Sequence, residues 1–356
     1  MANFPIAHID LDAIAANLSF AKSLAPRSRA LAVVKANAYG HGAVPVCQAL
    51  PHADAFAVAR TSEGVQLREA GISKPIHVLE GFLDEQELEI SRIERLTPVL
   101  HARYQIDMLK ASRHRDLPVW IKVDTGMHRL GFSVEDFRRG MTTGEALNVA
   151  GIMSHMANAD DINHVENVAQ IEIFSDVTRD LDVELSLANS GSIIHFSQSH
   201  FDWIRPGIML YGGGPASVPD TRLRPAMTLT APVIAINTIQ AGETIGYGST
   251  WIAPQTSRVA LIGIGYADGY PREVPTGMPV LVHGQRRSII GRVSMDMTFV
   301  LLEPQDQVSP GDRVTLWGAG LPVDEIASLR GTISYTLMSG LTGRVGREYS
   351  GVEALG

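Results

Sequence analysis

Between about residue 30 and residue 210 the chain alternates two textures. Short apolar, often β-branched runs occur at 31–35, 55–59, 75–79, 97–100, 119–123, 149–154, 184–188 and 202–205. Stretches with helical spacing lie between them, including 61–70, 84–95 and 164–181, with Thr61 and Ser62 as candidate caps for the first. Strand–helix alternation predicts parallel pairing through crossover helices. Eight strands in about 180 residues satisfy a (β/α)8 barrel, and a doubly wound open sheet has the same periodicity.

After Tyr211 the texture changes. Gly212-Gly213-Gly214-Pro215 opens a turn-rich stretch, and short alternating segments follow at 229–236, 258–264, 278–283, 288–293, 298–301 and 313–317. Turn signals such as Ala241-Gly242 and Ser309-Pro310-Gly311-Asp312 separate them, which predicts a mainly β domain. The junction is expected near residues 212–225.

Composition narrows the class. The chain has 356 residues, 45% of them hydrophobic and 19% charged, so the core is ample and a disordered or coiled-coil chain is excluded. At ~150 residues per domain, two domains are expected. The net charge is −8 and no basic run occurs, which argues against nucleic acid or an anionic membrane as partner. Cys47 is the only cysteine, so no intrachain disulfide or cysteine-based metal site can form. No signal-like segment opens the chain, and no apolar stretch reaches the ~18–20 residues needed to span a bilayer. A cytoplasmic protein is the expectation.

In a barrel the chemistry collects where the strands end. Those ends carry Lys35, Arg60, Glu80, His101, Lys122 with Asp124, Ser154-His155, Asn189-Ser190 and Arg205. A lysine closing an apolar strand is partly desolvated, which makes its amine a nucleophile toward carbonyls. It also fits a lysine that merely snorkels to solvent. The last two barrel loops hold Asn189-Ser190-Gly191-Ser192 and Arg205-Pro206-Gly207-Ile208. Taken singly these read as helix caps. Beside a candidate Schiff-base lysine they point to pyridoxal phosphate. Nucleotide fingerprints are absent: no GxxxxGK[ST] occurs, and Gly263-Ile264-Gly265 lacks the third glycine. Asp160, Asp161, His164 and Glu166 have metal-like composition, but acids at a helix start favour its dipole, and no metal is assigned.

Taken in order, these residues resemble the alanine racemase family. The resemblance rests on Ile9-Asp-Leu-Asp-Ala-Ile14, Val34-Lys35-Ala-Asn-Ala-Tyr39-Gly-His-Gly42 and Lys122-Val-Asp-Thr-Gly-Met-His-Arg129-Leu-Gly. Ser154-His155, Asn189-Ser190 and Arg205-Pro-Gly-Ile-Met-Leu-Tyr-Gly212 follow. Gly265-Tyr266-Ala-Asp-Gly-Tyr270-Pro-Arg, Gly291-Arg-Val-Ser-Met295-Asp296, Ile333-Ser-Tyr335 and Gly343-Arg-Val-Gly-Arg347 complete it. The blocks span nearly the whole chain.

The resemblance implies a (β/α)8 TIM-like barrel over 10–222 that binds pyridoxal 5′-phosphate. It implies a mainly β domain, formed by 1–9 and 223–356, that supplies a second base. Lys35 would hold the cofactor and act as one base; Tyr266 of the partner subunit in a homodimer would be the other. Arg205 matches the arginine facing the pyridine nitrogen. Tyr39, Asn189, Ser190, Gly207, Ile208 and Tyr335 match cofactor and phosphate contacts, and His155 packs on the ring. Arg129 and Met295 match substrate contacts. Lys122 matches a lysine often N-carboxylated in the family, where its charge would orient Arg129. The implied activity is interconversion of L- and D-alanine, for cell-wall synthesis or for D-alanine catabolism.

Three positions depart from common family residues: His128, Ser294 and Gly346. Ser294 adjoins the expected substrate contact, so a serine or broad-specificity racemase stays open. An amino-acid decarboxylase on the same plan is disfavoured by Arg205 and Tyr266. A non-catalytic pyridoxal-phosphate carrier would need neither Tyr266 nor the β domain.

Overall fold

A computed structural model describes residues 4–142, 147–215 and 219–355. The chain divides into two compact units. One comprises Ala15–Ala38 and Ala43–Leu210; the other comprises the residues up to Ile14, Tyr39–Gly42 and the chain from Tyr211 onward.

The first unit is built on eight parallel strands. They are β2 (Arg29–Val33), β3 (Ala55–Val58), β4 (Ile76–Val78), β5 (Leu96–Leu100), β6 (Val119–Lys122), β7 (Val149–Met153), β8 (Glu184–Ser186) and β9 (Trp203–Ile204), with β1 (Ile6–Asp10) preceding them in the chain. Each pairs with the next, and β9 pairs back with β2 through Arg29↔Trp203 and Ala30↔Ile204. The ring is closed, so the open-sheet alternative is excluded. Strands buried on both faces explain the runs of Ala, Leu, Val and Ile that lack polar alternation.

The barrel interior separates a structural end from a chemical one. At the N-terminal ends of the strands, Glu184 accepts from Trp203 Nε1 at 2.6 Å and pairs with Arg29, whose guanidinium lies 4.2 Å over the Trp203 ring. Trp120 fills the space above, and a Cβ at Gly151 would lie 2.6 Å from its ring. Glycine at 151 is therefore a packing requirement of Trp120.

One expected detail differs. Thr61 and Ser62 do not cap their helix, which runs Thr61–Glu69 after Arg60. The Glu63 carboxylate instead takes the amides of Ala59 and Arg60, and the Thr61 hydroxyl is buried without a partner. The helix read at 84–95 is capped as its first residue suggests: Asp84 accepts from the Glu87 amide at 2.8 Å.

The second unit is mainly antiparallel. After β10 (Met227–Ile239) come a short ribbon, β11 (Thr244–Ile245) with β12 (Trp251–Ile252), then β13 (Ser257–Ile262), β14 (Pro279–Val282), β15 (Gln285–Ile290), β16 (Thr298–Leu302), β17 (Arg313–Trp317) and β18 (Gly346–Ser350). Pairings run β13-β16-β15-β14-β17-β10 and close through β10–β13. The N-terminal β1 adds to β10, and β18 adds in parallel to β1. Among the described residues no helix is long and apolar enough to cross a membrane. No group of three or more metal-ligating side chains occurs among them either.

Candidate active site

Lys35 does not close β2, as the apolar run suggested. The strand stops at Val33, the Val34 amide bonds to Ala57 O at 2.9 Å, and the chain then winds the wrong way. Ala36, Asn37 and Ala38 have φ of 52, 54 and 52° with ψ of 49, 48 and 52°, so Lys35–Tyr39 is a left-handed turn. Each L-residue held there costs roughly 1–2 kcal/mol. Asn37 gives something back by accepting the Ala43 amide at 2.9 Å, which starts the next helix. Lys35 itself is half-buried. Burial, then the Arg129 charge, lowers its pKa, while Glu80 and Glu63 oppose them.

Arg205 is held almost out of solvent, 5% exposed. Its Nη1 donates to Ser186 Oγ at 2.7 Å, and Nη2 to the carbonyls of Ser154 at 2.5 Å and Leu187 at 3.2 Å. Nη2 also meets His155 Nδ1 at 3.3 Å. All four acceptors are neutral. Burial lowers the guanidinium pKa to about 10, so it stays charged at neutral pH.

Lys122 joins the same basin from the end of β6. Burial, then the charges of Arg205, Arg129 and Lys35, pulls its pKa down to about 8, opposed by Asp124. Burial and the Arg205 charge hold His155 well below the ordinary imidazole value, so the ring is neutral. Arg129 rides the loop after β6, which Asp124 shapes by accepting the amides of Gly126, Met127 and His128 at 2.9–3.1 Å. Four cationic side chains thus converge at one rim, and that arrangement calls for anions.

The last two barrel loops meet through Ser190. Its Oγ accepts the amides of Gly207 at 2.9 Å and Met209 at 3.4 Å, which leaves its own proton to donate. Ile208 opens a short 3-10 turn beside it. Asn189 takes the bland role as well: it caps Ser190–His195 by accepting the Ser192 amide at 3.1 Å. A hydroxyl donor, a half-buried amine and a buried arginine without a carboxylate partner fit a phosphorylated pyridine aldehyde.

The remaining candidates belong to the other unit. Tyr39 stacks on Tyr211 with ring centroids 4.8 Å apart and meets Tyr335 at 5.7 Å. Burial raises the Tyr39 phenol pKa, so it remains a neutral donor. Tyr266 opens the 3-10 turn Tyr266–Asp268 and is 39% exposed. Its amide donates to Ser294 O at 3.1 Å and that of Ala267 to Met295 O at 2.9 Å, which places Tyr266 beside Met295. A Cβ at Gly265 would lie 2.3 Å from both carbonyl oxygens, so only glycine allows this approach.

Residues 9–215 match the family model described as alanine racemase, N-terminal domain, and residues 226–349 match alanine racemase, C-terminal domain. The chain belongs to the alanine racemase family. It is 45% identical to the alanine racemase of Chromohalobacter salexigens, over 98% of each chain. It is similar to the crystal structure of the biosynthetic alanine racemase from Pseudomonas aeruginosa, with a TM-score of 0.94 at 43% identity, covering 98% of this chain and 100% of that one. The alanine racemase from Bartonella henselae, solved with covalently bound pyridoxal phosphate, has a TM-score of 0.91 at 32% identity over 98% and 100% of the two chains.

Several residues of this racemase-family site escaped the sequence. Ser186 positions Arg205 from within the run at 184–188, where a serine between Leu185 and Leu187 was the signal. Gln170 is buried on its helix, accepts the Ala157 amide at 2.8 Å and donates to His155 O and Thr125 Oγ1 at 3.1 and 3.2 Å. It ties the loops after β6 and β7 together, and its polarity on a buried face could have flagged it. In the other unit Asp268 accepts the Gly265 amide at 2.9 Å and pairs with Arg344 at 3.0 Å beneath Tyr266.

Proposed function

We propose that the protein interconverts L- and D-alanine with pyridoxal 5′-phosphate by proton exchange on two faces of the substrate. The convergence of Lys35, Lys122, Arg129 and Arg205 at one barrel rim carries this reading, together with full-length similarity to alanine racemases. When bound, pyridoxal phosphate supplies an electrophilic carbonyl for the amino group and an electron sink for the charge left at Cα.

Lys35 would hold the cofactor through Nζ and, once released, move the Cα proton on one face. Burial and Arg129 favour its neutral, basic form. Tyr266 of the partner subunit would move a proton at its phenol oxygen on the opposite face, so the substrate need not turn over. Ser190, Gly207, Ile208, Tyr39 and Tyr335 would bind phosphate, with Asn189 shaping that loop. His155 would pack on the ring. Arg205 cannot accept a proton, so beside the pyridine nitrogen it would disfavour the protonated ring. That weakens the electron sink and favours return of the proton to Cα over transamination. Arg129, with Met295 nearby, would bind the substrate carboxylate. Lys122 has a neutral amine within reach near pH 8; such an amine adds CO2 with loss of a proton, and the carbamate would turn a repulsive neighbour of Arg129 into an attractive one.

On this reading the barrel over 10–222 is the cofactor-binding domain, and 1–9 with 223–356 is the β domain that supplies the second base. Two copies exchange Tyr266 in a homodimer, and the protein works in the cytoplasm. The decisive experiment is purification with pyridoxal phosphate, followed by conversion of L- to D-alanine with serine and other amino acids in parallel. Conversion of none of them, with the cofactor bound, overturns the proposal; a preference for serine moves it to the neighbouring specificity.

A further inference from the structure

Glu63 stands at the third position of the helix Thr61–Glu69, and its carboxylate serves two separate loops. Oε2 accepts the amides of Ala59 and Arg60 at 2.8 and 3.1 Å, as an acidic residue at that position does when it closes a helix start. Oε1 goes elsewhere. It accepts the amide of Ala36 at 2.6 Å, 27 residues away. Ala36 follows Lys35 and is the first residue of the left-handed turn to have a positive φ. A strained backbone of this kind persists only where its surroundings over-determine it. Ala36 and Asn37 are exposed, so packing does not pin this end of the turn; the bond of Ala36 to Glu63 does, together with that of Asn37 to the Ala43 amide.

We propose that Glu63 is a positioning residue for Lys35: through the Ala36 amide it holds the turn that aims the lysine amine into the cationic basin. This rests on reading Lys35 as the amine that carries the cofactor. Capping alone needs only Oε2, so the Oε1 bond is the part of the geometry that a structural cap leaves unexplained.

The chemistry of the amide side chain separates the two roles. A carboxylate offers two acceptor oxygens to these three N–H donors, whereas glutamine offers one oxygen and an NH2 group. In Glu63→Gln the oxygen can stay with Ala59 and Arg60, and the NH2 then faces the Ala36 N–H, donor against donor. The cap survives and the tie to Ala36 is lost. Glu63→Ala loses both.

The test uses the holoenzyme of Glu63→Gln, with Glu63→Ala and wild type alongside. Melting temperature, amide exchange over residues 35–40, and kcat and KM for L-alanine are measured. Borohydride fixation and peptide mapping then locate the cofactor-bearing lysine. Glu63→Gln is expected to melt close to wild type and to exchange the Ala36 amide about tenfold faster. Its kcat should fall about tenfold to a hundredfold, the scale of a small misplacement of a reacting group, with KM little changed. Glu63→Ala should melt lower. Wild-type kcat and wild-type Ala36 exchange in Glu63→Gln overturn the proposal, as does loss of protection spread across the whole barrel. Cofactor fixed to a lysine other than Lys35 overturns the underlying reading instead, so the two failures are distinguishable.

Discussion

Arg205 Nη2 lies 3.3 Å from His155 Nδ1, and the contact determines which nitrogen of the imidazole carries the proton. A guanidinium can only donate, so Nδ1 accepts and the neutral ring is protonated at Nε2. The arginine's other acceptors, Ser186 Oγ and the carbonyls of Ser154 and Leu187, are equally unable to take its charge. The pocket is built for a cation. Arg205→Glu would set a carboxylate against those same oxygens and favour a protonated pyridine. Racemisation should slow by about two orders of magnitude or more, the scale of a displaced electrostatic group, and the transamination side-reaction should rise. Arg205→Lys keeps the charge but not the fork. Its side-reaction rate should stay near wild type, as measured by pyruvate released from alanine.

Lys35→Ala should abolish both racemisation and the cofactor absorbance that borohydride removes. Among the described residues Lys122 is the only other lysine drawn into the basin, and its lowered pKa makes it the first suspect if a reducible adduct persists. Peptide mapping of the reduced protein decides between them.

The barrel was legible because parallel strands buried on both faces leave uninterrupted apolar runs, and eight such runs survive in the sequence. The turn after Val33 was not. Residues 36–42 read as a glycine-containing loop after a strand ending at Lys35, and nothing local marks the left-handed turn except Asn37 and the glycines that follow. β18 was hidden for a different reason. Gly346-Arg347-Glu348-Tyr349-Ser350 is partly exposed along its length and pairs with β1, 340 residues earlier, so neither apolar alternation nor proximity marks it. The Glu63–Ala36 bond and the grip of Ser186 on Arg205 are likewise long-range, and no spacing rule reaches them.

Lys122 gives opposite signs for its two chemical forms. As a bare amine with a pKa of about 8, it imposes the cost of a buried cation in full below that value. Stability then rises with pH between about 8 and the unfolded value near 10.4, where the unfolded chain binds more protons. Lys122→Met would therefore melt higher at pH 7, with the gain shrinking toward pH 10. A carbamate reverses this, because the substitution then removes an anionic partner of Arg129. The expected outcome is a lower melting temperature at pH 7, and partial rescue of Lys122→Ala activity by small carboxylic acids. A higher melting temperature without rescue would identify the bare amine.

Gly265→Ala should disable catalysis far more than folding. The added Cβ meets Ser294 O and Met295 O at 2.3 Å, and both are backbone atoms that cannot rotate away. The Tyr266 turn must shift off the 294–295 segment, displacing the phenol and Met295 together. A fall in kcat/KM of about a hundredfold or more is expected, with the cofactor absorbance unchanged because Lys35 is untouched. Equal loss of bound cofactor would show instead that the β domain had unfolded.

Lys35 belongs to the barrel unit, and Tyr266 is an exposed residue of the β unit. If the active site takes one base from each subunit across a twofold axis, two inactive variants can repair each other. Lys35→Ala and Tyr266→Phe chains are mixed by reversible dissociation. Each heterodimer then holds one site with both lesions and one site with none. Random mixing makes about half the dimers heterodimers, so about a quarter of all sites should recover. Were both bases to come from the same chain, every site would keep one lesion and mixing would restore nothing. Subunit exchange verified by mass spectrometry of differently tagged chains, without recovery, would refute the shared site while leaving the racemase reading intact.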